Sequence, residues 1–210
     1  MSVSTPMIEP TAAPPGAADF LPGDRVYRLR VVQYMEMARA GILTEHDRVV
    51  LLEGLLVTKM TVHPPHIFAT KRTVNALRRA VPPGWHVTRD DPVTTLDSVP
   101  EPDCMVLRGA EEDFRDRLPG PSDVGLVVEV ADSSLKTDQT VMKAIYANAA
   151  IPIYWIVNIP DRRLEVYTDP TGPADPPIYR LRRDYGPDDD VPLVLDDREV
   201  GRIAVRDLLP

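Results

Sequence analysis

The sequence predicts a mixed α/β domain in which helices pack against one central mixed β-sheet, and three observations support that fold class. Apolar residues recur at helical spacing in residues 27–43, 64–81 and 133–151. Short apolar runs bounded by turn residues lie between and after those segments. One run, VGLVVEVA at 124–131, is apolar on both faces except for Glu129, which is typical of a central strand. This order of helices and strands favours a single α/β or α+β domain.

The amino-terminal half is predicted to form a helix, a hairpin and a second helix. Residues 27–43 supply the first helix, and residues 46–60 form two short strands around the turn at Glu53-Gly54. Residues 64–81 then form a helix with an apolar stripe and basic residues largely off it. The stripe comprises Ile67, Thr70, Val74, Leu77 and Val81.

The carboxyl-terminal half is predicted to supply most of the sheet. Strands are indicated at 85–89, 103–108 and 124–131, followed by a helix over 133–151. The later strands are a hairpin, a possible strand within IYRLRR and a final strand ahead of a short helix. Their ranges are 152–159 with 163–169, 178–183 and 199–205.

Composition limits the class of protein. A chain of 210 residues with 43% hydrophobic residues fits one domain with a sizeable core. The net charge of −8 counts against tight, sequence-independent binding to nucleic acid, although a local basic surface would permit it. A single cysteine, Cys104, excludes an internal disulfide and favours a reducing cytoplasm.

The ends of the chain differ in composition from its middle. Residues 1–24 are rich in Pro, Ala and Gly without apolar periodicity, so we expect a flexible arm ahead of a domain over 25–210. That arm lacks the pattern of a signal peptide, and no apolar run approaches the roughly 20 residues needed to cross a membrane. Residues 170–192 are rich in Pro and Asp and are expected to be irregular apart from the strand above.

Two carboxylates interrupt the apolar strands and form the candidate site. Asp103 opens one strand and Glu129 lies within another, where an ionised carboxylate is costly unless it is paired or bound to a metal. If the strands are adjacent, the two side chains would share a hard divalent cation, and oxygen ligands favour Mg²⁺ or Mn²⁺ over zinc. The plainer alternatives are a turn residue at Asp103 and a structural ion pair with an arginine at Glu129.

The ordered motifs of the chain resemble a known family. EPD before an apolar run, then LVVEVADSS and YANAAIPIYWIVN, are similar to the Uma-two family of bacterial endonucleases, as is LLEGLLVTKMT followed by PPH. That family belongs to the restriction-endonuclease-like superfamily with the PD-(D/E)xK motif. The resemblance extends over about residues 27–169 and implies a nuclease-like fold, a DNA substrate and a homodimer.

The resemblance also implies roles for individual residues. Asp103 and Glu129 would be metal ligands, with the carbonyl of Val130 as a possible third, and Mg²⁺ would activate a water against the phosphodiester. Glu53 matches an acidic position of the family and would be either an additional acid near the metal or a turn residue. His66 matches a family histidine and would be a packing or capping residue or, less simply, a general base.

The chain departs from the family at the catalytic lysine. The superfamily lysine lies two residues after the glutamate, where this chain has Ala131, and the lysine position in the helix of the family holds Met142. Lys143 follows, rotated by about 100° around the helix, and is the provisional catalytic lysine; Lys136 is a weaker substitute. Lys143 as a solvated helix residue is an equal alternative.

Two hypotheses about function follow. The first is a Mg²⁺-dependent endonuclease that hydrolyses DNA phosphodiester bonds. The second is a catalytically silent protein of the same fold that binds nucleic acid or a protein partner, or dimerises. Five basic residues would form either a basic surface for phosphates or merely a solvated face: Lys59, Lys71, Arg72, Arg78 and Arg79. Carboxylates on opposite faces of the sheet would exclude the first.

Overall fold

The architecture was obtained from a computed structural model, which describes residues 26–210. The predicted arm over 1–24 lies outside the described residues. The predicted fold class is confirmed, because the core is a six-stranded mixed sheet with helices packed on it. No helix within 26–210 is both long and apolar enough to cross a membrane.

The amino-terminal elements match the predicted order. Helix α1 spans Val31–Arg39, strands β1 and β2 span Val49–Leu52 and Leu55–Thr58, and helix α2 spans Pro64–Ala80. The hairpin turn is confirmed at Glu53-Gly54, where both residues have positive φ. Helix α1 buries none of its residues, although helical spacing predicted an apolar face there.

The sheet has the strand order β3-β4-β5-β6-β7-β8, and every pairing is antiparallel except that of β5 with β6. Strand β5 is buried along its whole length, as its apolar pattern predicted. It lies between β4 and β6, which makes it central. The six strands are Trp85–Arg89, Cys104–Arg108, Val124–Ala131, Ile153–Asn158, Arg163–Pro170 and Tyr179–Tyr185.

The segment expected to be irregular contains more strand than the sequence indicated. Strand β8 lies within it, and a further strand, β9, begins at its end and spans Asp190–Leu195. Strand β9 pairs with β10, Arg198–Ala204, in a separate hairpin. Pro192 hid β9 in the sequence, and proline is tolerated in a two-stranded hairpin because one edge of each strand is unpaired.

The helix predicted over 133–151 consists of two α-helical segments separated by a π-helical segment. Helix α3 spans Leu135–Thr137, a π-helical segment spans Asp138–Met142 and helix α4 spans Lys143–Asn148. π-helical turns inside helices are rare and occur frequently at functional sites. This helix covers the sheet face that contains Val127 and Ala131, whereas α2 covers the opposite face with Val128 and Val130.

The amino-terminal hairpin docks on the segment that leads into β4. The Val99 amide donates a hydrogen bond to the Leu51 carbonyl at 2.7 Å, and the Gly54 amide donates to the Asp97 carbonyl at 2.9 Å. These bonds hold β1 and β2 beside the approach to Asp103. The hairpin, the start of α2 and the start of α3 therefore enclose the amino-terminal end of β4.

Candidate functional site

The structure brings Asp103 and Glu129 together. Strand β4 pairs antiparallel with β5, and the partner of Cys104 is Val128, so Asp103 lies beside Glu129. The Asp103 amide donates a hydrogen bond to Glu129 Oε2 at 3.3 Å, and the Val130 amide donates to Asp103 Oδ2 at 2.7 Å. The two carboxylates thus lie side by side on two neighbouring strands. They are not on opposite faces of the sheet, an arrangement that would have excluded the endonuclease hypothesis.

Three further side chains fix or surround this pair. His66, in the first turn of α2, has its Nε2 atom 3.2 Å from each carboxylate oxygen of Asp103. The Tyr146 hydroxyl donates a hydrogen bond to Glu129 Oε1 at 2.7 Å. Asp138 begins the π-helical segment and accepts a hydrogen bond from Ser134 Oγ at 2.6 Å.

An open cavity of about 490 Å³ gives access to the acids. The hairpin supplies one wall, the start of α2 a second, and the start of the α3 helix a third. Asp103, Glu129 and Asp138 all line it, together with the apolar side chains of Ile67 and Met142. Ile67 was predicted to lie on the buried stripe of α2, but it is 36% exposed and lies at this cavity instead.

Negative charge accumulates in the cavity. Burial, followed by the charges of Asp103 and Asp138, raises the pKa of Glu129 well above its usual value. Burial and the charge of Asp103 raise the pKa of Asp138 to about 7, against the hydrogen bond from Ser134. For His66, burial lowers the pKa, but the hydrogen bond and charge of Asp103 outweigh it and raise the pKa overall.

A second buried carboxylate in this protein has its negative charge compensated by neighbouring side chains. Glu165 on β7 is 0% exposed and lies on the same sheet face as Glu129, two strands away through Ile156. Its oxygens accept hydrogen bonds from three neutral side chains and lie near two guanidinium groups. These partners are Gln139, Asn158, Tyr167, Arg163 and Arg182.

Glu129 has no such compensation. Its hydrogen bonds come from a hydroxyl and a backbone amide, and no lysine, arginine or histidine of the described chain forms an ion pair with it. A buried acid beside two other acids is costly without a cation. Glu129 therefore lacks, among the described residues, the positively charged partners that Glu165 has.

The side chains of the cavity offer the kind of ligand atom that a hard divalent cation prefers, but too few of them to complete its coordination. Asp103 and Glu129 offer carboxylate oxygens, the ligands that Mg²⁺ and Mn²⁺ prefer. Within residues 26–210, no group of three or more His, Cys, Asp or Glu side chains is arranged to hold a metal ion. Water, phosphate oxygens or a backbone carbonyl would have to complete the coordination, as is usual for Mg²⁺.

Lys143 and Glu53 are not brought to this cavity. The Lys143 ammonium lies 5.1 Å from the centre of the Tyr167 ring, on the Glu165 side of the helix, because it follows Met142 by one helical step. Burial and the charge of Arg182 lower the pKa of Lys143. The Glu53 side chain is exposed at the hairpin turn, where its backbone amide donates a hydrogen bond to Ser98 Oγ at 2.8 Å.

Sequence reasoning gave Asp138 and Glu165 no role. An acid in the first turns of the helix after β5 was a usable signal for Asp138. Glu165 lies between the apolar residues Leu164 and Val166, and that pattern was visible. Arg72, assigned to a basic surface, instead donates hydrogen bonds to the carbonyls of Arg206 and Asp207 at 2.8 and 3.1 Å.

The raised pKa values lead to a first prediction about stability. Because the pKa of Asp138 rises from an ordinary 3.8 to about 7, the folded protein binds a proton that the unfolded chain releases. The stabilisation is complete below about pH 4 and is lost as the pH rises through about 7. We expect the free energy of unfolding of metal-free protein, measured by urea titration with a chelator, to fall over that range. Asp138→Asn should flatten the profile, and an unchanged profile in that variant would contradict the prediction.

Comparisons with known proteins identify the family of this chain and a solved structure that shares its fold. A family model described as "Putative restriction endonuclease", Uma2, matches residues 31–197. A crystal structure from Anabaena variabilis ATCC 29413, described as a putative nuclease belonging to DUF820, shares the fold with a TM-score of 0.61 at 16% identity. The match covers 82% of this chain and 96% of the other. No curated protein matches the chain. The family match extends over most of the domain, and the chain therefore belongs to the Uma2 family.

Proposed function

We propose that this protein is a nuclease that hydrolyses DNA phosphodiester bonds with a divalent cation, Mg²⁺ or Mn²⁺. The observation that carries the proposal is the juxtaposition of Asp103 with Glu129, which has no positively charged partner among the described residues, in an open cavity of about 490 Å³. Membership of a family described as putative restriction endonucleases supports the same reaction class.

In this proposal Asp103 and Glu129 hold the cation, and the Val130 carbonyl is a candidate third ligand. The bound cation would supply Lewis-acid activation of water and of the phosphodiester. His66 and the Val130 amide orient Asp103, while the Tyr146 hydroxyl orients Glu129. Such partners around a ligand keep its geometry and tune its charge.

The cavity contains groups that a metal-bound phosphodiester strand would contact. The acids Asp103 and Glu129 line it, and so do the basic side chains of Lys59, Arg48 and Arg89. A phosphate bound to the metal would place its negative charge near those basic groups, which would attract it. The proposal also includes DNA as the substrate and a homodimer in the cytoplasm. A homodimer would supply one site for each strand of a duplex. The free, buried thiol of Cys104 supports a reducing compartment.

The test is a cleavage assay on supercoiled plasmid, linear duplex and single-stranded DNA. With Mg²⁺ or Mn²⁺ we expect nicked and shortened products, and a chelator should stop their formation. Light scattering of the same sample should show a dimer. If purified protein binds neither Mn²⁺ by calorimetry nor DNA by anisotropy, the proposed function is wrong.

A second candidate function is nucleic-acid binding without cleavage. It is favoured by Met142, which is 8% exposed and presents an apolar side chain to the cavity, and by the orientation of Lys143 toward Tyr167. Under this alternative the protein binds both metal and DNA, yet all three DNA forms remain intact in every metal tested.

A further inference from the structure

The candidate cavity requires a positive group beyond the metal. Hydrolysis of a phosphodiester places extra negative charge on the phosphate oxygens as water attacks, and a positioned cation or donor stabilises that charge. Lys59 is the one lysine that lines this cavity in the described part of the chain. It enters from the end of β2, on the wall formed by the hairpin.

Each of the two arginines that line the cavity interacts with a nearby group at the edge of the cavity. Arg89 Nε lies 2.8 Å from Asp90 Oδ2, and Arg48 Nη2 donates a weak hydrogen bond to the Met60 carbonyl at 3.4 Å. Both contacts tie a guanidinium to the edge of the cavity. Neither arginine contacts Asp103 or Glu129.

Lys59 is fixed at its backbone and held by one carboxylate at its tip. Its amide donates a hydrogen bond to the Arg48 carbonyl at 2.7 Å, which closes the end of the hairpin. Its ammonium forms an ion pair with Glu101, and the two side chains are 35% and 25% exposed. Glu101 precedes Asp103 by two residues, so the ammonium is held at the approach to the two acids.

We propose that Lys59 is a catalytic residue for the cleavage proposed above, which this inference takes as its basis. Its ammonium would leave Glu101 for a phosphate oxygen of the bound strand and stabilise the charge that develops there. The ammonium acts by donating hydrogen bonds, so no proton transfer is required of it. Glu101 holds the side chain in place when no phosphate is present.

The first test compares Lys59→Met with Arg198→Met, which removes an exposed cation of β10 that lies outside the cavity. We expect Lys59→Met to lower kcat by about 100-fold or more, and Arg198→Met to leave it within about twofold. The Lys59–Glu101 pair is partly exposed, so its loss should leave the melting temperature close to that of wild type. Equal cleavage by Lys59→Met and wild type, or equal loss in both variants, would overturn the inference.

The second test adds an ammonium elsewhere in the same cavity. Met142 lines the wall formed by the helix, so Met142→Lys in the Lys59→Met background should recover at least about tenfold of the lost rate. A folded double variant with no recovery would count against an ammonium as the missing group. If melting shows that the double variant is unfolded, Lys59→Arg decides: retention of a tenth or more of wild-type activity supports the inference, and complete loss overturns it.

A binding measurement separates this inference from the proposed function. In Ca²⁺, which takes the same oxygen ligands, the affinity for a short duplex is measured at several salt concentrations. Removal of one phosphate contact should reduce the slope of log K against log salt by about 0.9. If wild type binds but never cleaves, the proposed function fails. A reduced slope in Lys59→Met then still supports the phosphate contact, and an unchanged slope overturns it.

Discussion

Glu129→Gln is expected to abolish metal-dependent DNA cleavage, with a loss of at least about 100-fold in kcat. The amide keeps the shape of the side chain and one acceptor oxygen, for either the Tyr146 hydroxyl or the Asp103 amide, but it removes the charge that would hold the cation. Plasmid nicking in Mg²⁺ and in Mn²⁺ measures the loss. Calorimetry should show weaker Mn²⁺ binding in the same variant.

The same substitution should not weaken the metal-free fold. Burial and the charges of Asp103 and Asp138 raise the pKa of Glu129, so its ionised form opposes folding and a neutral amide removes that cost. We therefore expect the melting temperature of Glu129→Gln at neutral pH, in chelator, to equal or exceed that of wild type. Glu199→Gln, which changes an exposed partner of Arg202, serves as the control. Undiminished cleavage by Glu129→Gln would show that the metal is held elsewhere.

Much of this site was accessible from the sequence because strands alternate their side chains between two faces. An apolar run broken by a single acid identified Glu129, and the acid that opens the next apolar strand identified Asp103. The structure adds the adjacency of β4 and β5, which the sequence left as a condition. The hairpin at Glu53-Gly54 followed from its turn residues in the same way.

Other parts depended on contacts between distant segments, which no local pattern contains. Glu129 and Glu165 look alike in sequence, since apolar residues flank each of them in its strand. Glu165 accepts a hydrogen bond from Gln139 and lies 3.3 Å from an Arg182 nitrogen, whereas Glu129 experiences the negative charge of Asp138. The π-helical segment also changes the phase of the helix, so regular spacing could not place Lys143.

Glu165→Ala is expected to destabilise the protein by about 3 kcal/mol or more. The carboxylate is fully buried, and its removal leaves the side-chain amides of Gln139 and Asn158 and the Tyr167 hydroxyl without their acceptor. It also leaves Arg182 without a buried partner. The free energy of unfolding from urea titration, with the m-value compared between variants, measures the effect.

The matched control for Glu165→Ala is Asp184→Ala, which removes the more exposed carboxylate that binds the same Arg182 guanidinium. That change should cost no more than about 1 kcal/mol, since the pair is open to solvent. The comparison also separates the two buried glutamates, because replacement of Glu129 should reduce cleavage without comparable destabilisation. Equal destabilisation by Glu129→Ala and Glu165→Ala would mean that Glu129 is a structural acid after all. The charge left unpaired beside Asp103 would then have to be explained by the fold rather than by a metal ion.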